Sequence, residues 1–247
     1  MRWLGFCENR RKRPTLNVQR PTSKSEMSVG MLITRLIIIV LLGGCLAADA
    51  KDPERRVQNN DIISERDPKV RIELPRSVQY VGADRFVLLE IADCELHAFV
   101  EADSQRSVQR LYWVQFEDYL PTKPELKHHY DSPRHATIGG LDFYVDTWTR
   151  AKGDKVTAGS DLEHIEALIR AKGYKMPAEM MYVRLVHLLD EKKRKELMII
   201  YAEDLAPTGF TAAELKKGGK RYDQWPVLDK GLVERAEKKI KIETEKP

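Results

Sequence analysis

Three histidines fall close together in the chain, His128, His129 and His135, with Tyr130 and Asp131 between them. Imidazole and carboxylate are the donors that hold a catalytic divalent ion, so His129, Asp131 and His135 could converge as a metal set for a hydrolase. Adjacent residues in an extended loop point apart, which makes His128 and His129 a poor chelating pair. No HExxH or CxxC spacing supports such a site, and a solvated loop explains the same residues.

A second chemical pattern lies in two strand-like runs. In residues 94–101, Cys94, Leu96, Ala98 and Val100 share one face, while Glu95, His97, Phe99 and Glu101 share the other. In residues 108–119, Leu111, Trp113, Gln115 and Glu117 fall together. Aromatic walls with a few ionisable groups suit a concave sheet that binds a small ligand. His97, Phe99, Glu101, Trp113, Gln115 and Glu117 are therefore the candidate binding residues, and an ordinary solvent face is the competing reading. His97 and Glu101 stand about 13 Å apart along a strand and cannot bond each other.

The other reactive groups have structural explanations. Cys94 is the one cysteine beyond residue 50, so no intradomain disulfide can form, and it reads as a small buried apolar residue. His187 sits among Val183, Leu185 and Leu189 as a core histidine, and His164 falls on the polar side of a helix. The chain has no GxSxG elbow, phosphate-binding P-loop or GxGxxG turn. No cofactor is implied.

The elements that would position these groups are mostly strands. Residues 79–92 and 95–102 read as a hairpin turning near Asp93 and Cys94, residues 108–119 as an aromatic-rich strand, and 136–149 as a strand with a turn at Gly139-Gly140. Ser160 with Glu163 marks a helix start; Leu162, Ile165, Leu168 and Ile169 form its apolar stripe, and Gly173 ends it. A long hairpin follows, residues 180–189 and 197–204, around a charged turn at 190–196. Leu228, Leu232, Ala236 and Ile240 recur every four residues and mark a terminal amphipathic helix. The expected fold is α+β: an antiparallel sheet of about five to six strands over residues 71–210, with one amphipathic helix inserted before the last hairpin. The C-terminal helix and a disordered tail occupy 211–247. That helix could dock on the core or act as an adaptor for a partner.

The N-terminus carries an address. Residues 36–48, LIIIVLLGGCLAA, are uncharged and follow Arg35. They are short for a membrane span but have the length of a signal-peptide apolar region. Leu42-Gly43-Gly44-Cys45 resembles the lipobox of bacterial lipoproteins, and the resemblance implies that Cys45 is lipidated and becomes the new N-terminus. Ala48-Asp49-Ala50 is a competing A-x-A cleavage site. Met27 and Met31 are alternative starts to the long basic preface. Residues 51–70, charged and poor in aromatics, read as a flexible tether.

Charge narrows the partners. The whole chain carries +4, but residues 1–50 hold eight basic and three acidic groups, leaving 34 and 35 for the remainder. The folded part thus has no positive field for nucleic acid. The expected protein is an exported envelope protein, lipid-anchored or periplasmic, meeting a membrane through its N-terminus and binding a small ligand or another envelope protein.

Overall fold

The computed structural model describes residues 52–244. The leader, with Cys45 and the site at Ala50, lies outside the described residues. Among the described residues no helix is long and apolar enough to cross a membrane.

The domain is α+β and mostly antiparallel sheet, larger than the sequence suggests. A seven-stranded sheet runs β4 (Gln79–Leu88), β5 (Ala92–Ala102), β6 (Val108–Tyr119), β10 (Lys195–Asp204), β9 (Glu179–Leu188), β8 (Leu141–Ala151), β7 (His135–Ile138). The chain thus lays down one meander from an edge, jumps to the far edge, and returns strand by strand until β10 closes beside β6. Helix α1 (Asp161–Ala171) lies in the connection between the neighbouring strands β8 and β9, and packs across one sheet face against β4 and β5. Glu163 donates its amide to Ser160 Oγ at 3.4 Å, as a capped start requires, while the Glu163 carboxylate turns to the amide of Gly159 at 2.7 Å. Ile165 and Ile169 are fully buried beneath the helix.

The opposite face is covered by a second sheet that sequence patterning did not reveal. It runs β1 (Arg56–Gln58), β2 (Asp61–Ser64), β3 (Val70–Glu73), β11 (Lys241–Thr244), all antiparallel. Two expectations are corrected here. The presumed tether, 51–70, supplies β1 and β2, which turn at Asn59-Asn60, both at positive φ, as a two-residue hairpin needs. The presumed disordered tail supplies β11. Both segments carry enough charge to look solvated, yet Ile62 and Ile72 are wholly buried and Ile242 nearly so, because a two-layer edge needs only every second residue to be apolar. The first hairpin also turns earlier than expected, at Leu89-Glu90, which both take positive φ (46° and 62°) without the Asn or Gly that would announce it.

Helix α3 (Trp225–Lys239) docks on this second face beside α2 (Ala212–Leu215), with Leu232, Val233 and Ala236 buried. Arg235 forks onto Glu203 of β10 at 2.8 and 2.9 Å, and Arg134 forks onto Asp229 at 3.0 Å. The amphipathic stripe expected of an adaptor is therefore spent on the domain's own core.

Candidate functional site

Pairing of the central strands decides which side chains meet. On β6, Glu117 stands opposite Cys94 of β5 and opposite Glu196 of β10, so Cys94, Glu117 and Glu196 form one row across three strands on the α1 side of the sheet. Like charges placed directly opposite in a sheet repel. Glu196 is only 2% exposed, so solvent does little to screen the pair.

Neighbours hold these carboxylates in place. Along β6, Trp113 Nε1 donates to Gln115 Oε1 at 3.1 Å, and Gln115 Nε2 donates to Glu117 Oε2 at 3.2 Å. The Cys94 thiol lies 3.5 Å from the same oxygen. Tyr130 donates its hydroxyl to Glu196 Oε2 at 2.7 Å, and His128 Nδ1 lies 2.9 Å from that oxygen. His128 arrives on the long loop between β6 and β7. Arg194 organises that loop by donating to the carbonyls of Tyr119, Leu120, Lys123 and Leu126 at 2.9–3.0 Å. The His128 ring stacks on Tyr119, with centroids 4.3 Å apart, and its amide donates to the carbonyl of Lys193 at 2.7 Å. One donor atom from each of Glu117, His128 and Glu196 lies within 4.8 Å of the others.

The electrostatics follow from burial and crowding. Burial, then the Glu196 charge, push the Glu117 carboxyl up to about 7. Burial, the largest single influence, would lower His128, but its bond to Glu196 and the charges of Glu196 and Glu117 together hold the imidazole above its ordinary value. Asp161, at the first turn of α1, is pushed up chiefly by burial. Burial also drives the Cys94 thiol far above its ordinary range, which removes it as a nucleophile.

A cavity of about 340 Å³ opens at this end of β5, β6 and β10, and most of its lining, Arg85, Asp93, Glu95, Phe116, Asp118 and Lys195 among it, belongs to the face opposite the Glu117 and Glu196 side chains. Its rim is charged but internally neutralised. Arg85 bonds Glu54 and Asp93, each at 2.7 Å; Arg55 bonds Glu95 at 3.2 Å; Lys195 reaches Asp67 at 3.5 Å. The Glu117–Glu196 pair has one imidazole for two carboxylates. The arrangement can hold a cation; it contains no activated nucleophile.

The expected binding residues do not form one surface. Trp113, Gln115 and Glu117 lie on the α1 side and lead into the site, whereas His97, Phe99 and Glu101 project from the other face, since cross-strand partners share a side and His97 pairs with Val114. Neither face is a solvent face. Phe99 is core. His97, fully buried, bonds Glu95 at 2.9 Å and Tyr80 at 3.3 Å, and Glu95 accepts the amides of Glu54 and Arg55, both at 2.8 Å. Glu101 accepts from Arg110 at 2.6 Å and Tyr112 at 2.9 Å. The proposed metal set is also redrawn: His129 and Asp131 are exposed, His135 pairs with Asp142 at 2.9 Å, and the loop contributes His128 instead. His164 does more than face solvent, for it bonds Asp84 at 2.7 Å and stacks on Phe86, fixing α1 to β4. His187 bonds the Asp142 carbonyl at 2.8 Å and is half-buried. Glu196 was the residue hidden in the charged turn; its signal was the spacing to Met198 and Ile200, two and four residues on, which puts it on the same covered face.

No protein-family model, curated protein or solved structure matches the chain.

Proposed function

We propose that the chain is an exported protein, held at a membrane by its N-terminal segment, whose folded part binds a small cation at the carboxylates of Glu117 and Glu196. One observation carries the binding reading: two carboxylates face each other across neighbouring central strands, with a single imidazole beside them. Keeping like charges opposed and buried costs stability in the free protein, and a bound positive group turns that cost into affinity. The export reading rests on residues 36–48 and their basic flank.

Isothermal titration of the full chain with diamine, guanidinium and quaternary ammonium probes tests the first part. At least one should bind, and E196Q should weaken it about tenfold or more, the scale of one lost charge-assisted bond. Indifference to all three classes, and to metal ions as well, would remove the reading. For the second part, mass spectrometry of the mature N-terminus should find acylated Cys45, or Lys51 if cleavage follows Ala50. An unprocessed chain in the soluble cytoplasm would refute export.

A further inference from the structure

We infer that Glu117, His128 and Glu196 form a binding site for a first-row divalent metal ion, Zn²⁺ before others. The inference rests on the reading of these carboxylates as a cation site and takes the cation to be a metal.

Three features of the geometry point there. The first is the donor set. Two carboxylates and an imidazole, each offering one atom within 4.8 Å of the others, bracket the separations of about 3.4 Å between ligands of a tetrahedral ion with bonds near 2.1 Å. Carboxylate rotation alone can close the remaining gap. The second is rigidity. Gln115 and Trp113 fix Glu117 from behind, Tyr130 fixes Glu196, and Tyr119 with the Lys193 carbonyl fixes His128. Partners behind each ligand are what orient a metal site. The third is burial. His128 is 5% and Glu196 2% exposed, so an ion held between them would be shielded from water.

The mixed donor set chooses among ions. Ca²⁺ takes oxygen ligands only, and Mg²⁺ keeps most of its waters, whereas imidazole with carboxylate suits Zn²⁺ or Mn²⁺. Three protein ligands leave a coordination position open.

The test is equilibrium dialysis of the full-length protein, stripped with chelator, against Zn²⁺, Mn²⁺ and Mg²⁺, with metal counted by mass spectrometry. One equivalent of Zn²⁺ should bind with a melting-temperature rise of several degrees. Mg²⁺ should bind at least a hundredfold more weakly. The isosteric variant E117Q and the double variant E117Q/E196Q should lose Zn²⁺ binding a hundredfold or more. Without metal they should melt at or above the parent, because they relieve the facing charges. H129A/H135A should bind as the parent does. Failure of the parent to bind at millimolar Zn²⁺, or binding unchanged in E117Q/E196Q, overturns the site. A protein that binds a diamine but no Zn²⁺ overturns this inference and leaves the broader reading standing; one that binds Zn²⁺ but no organic cation upholds the metal site and removes only the organic ligands.

Discussion

Glu203, 8% exposed on β10, shows what a buried carboxylate does when its charge is fully met. Burial pushes its pKa up, but the Arg235 fork and the Tyr201 hydroxyl outweigh that and hold it below the ordinary range. An unfolded glutamate titrates near 4.3, so the stability this carboxylate lends is complete above that pH and disappears as pH falls through the lower folded value. Arg235 is partly solvated, which limits the contribution to about 1–3 kcal/mol. Urea unfolding should find E203Q less stable by that amount at pH 7, and the gap should shrink as pH falls below the unfolded value. Glu117 and Glu196 are the contrasting pair, two carboxylates sharing one imidazole, and Glu117 is pushed up accordingly. The residue scale was also where sequence reading was most uneven. Strand alternation singled out Trp113, Gln115 and Glu117 and noted Cys94, all on one face. It could not bring in Glu196 or His128, because β6–β10 pairing joins residues 79 positions apart and no local pattern encodes that register.

Among elements, the turn between β7 and β8 is the tightest constraint. Gly139 and Gly140 take φ of 60° and 84°, the two-residue turn that their sequence announces. They differ in surroundings. A Cβ on Gly139 would fall 2.1 Å from the carbonyl oxygen of Ile242 on β11, whereas one on Gly140 would meet nothing within 4 Å. Gly140→Ala should cost about 1–2 kcal/mol, the left-handed backbone penalty alone. Gly139→Ala should cost more, about 3 kcal/mol or above, because backbone must move. Chemical denaturation of the two variants side by side checks the order; equal losses would mean that β11 does not pack where the structure has it. Long periodic elements such as α1 and the β9–β10 hairpin were legible in the sequence because their stripes and turn residues agree. The three- and four-residue strands β1, β2 and β11 were not, since a window that short holds one or two apolar residues among charges.

At the scale of the molecule, the main sheet is covered on both faces: α1 on one side, the small sheet with α2 and α3 on the other. The N-terminal strands are therefore part of the fold and not a leash. Ile62→Ala, at a fully buried position, should cost about 2–5 kcal/mol. A solvated tether would tolerate the change without effect, so the melting midpoint decides between them. Removing residues 52–64 should likewise uncover the apolar face around Ile72 and raise binding of a hydrophobic dye.

The carboxylate of Glu95 clasps the backbone at Glu54 and Arg55. With Cys45 as a lipid anchor, nine residues would connect acyl chain to clasp. Fully stretched they span about 30 Å, roughly one leaflet pair of hydrocarbon. The clasp thus sets where the connecting segment ends and the fold begins, and Glu54 within it is also part of the cavity rim.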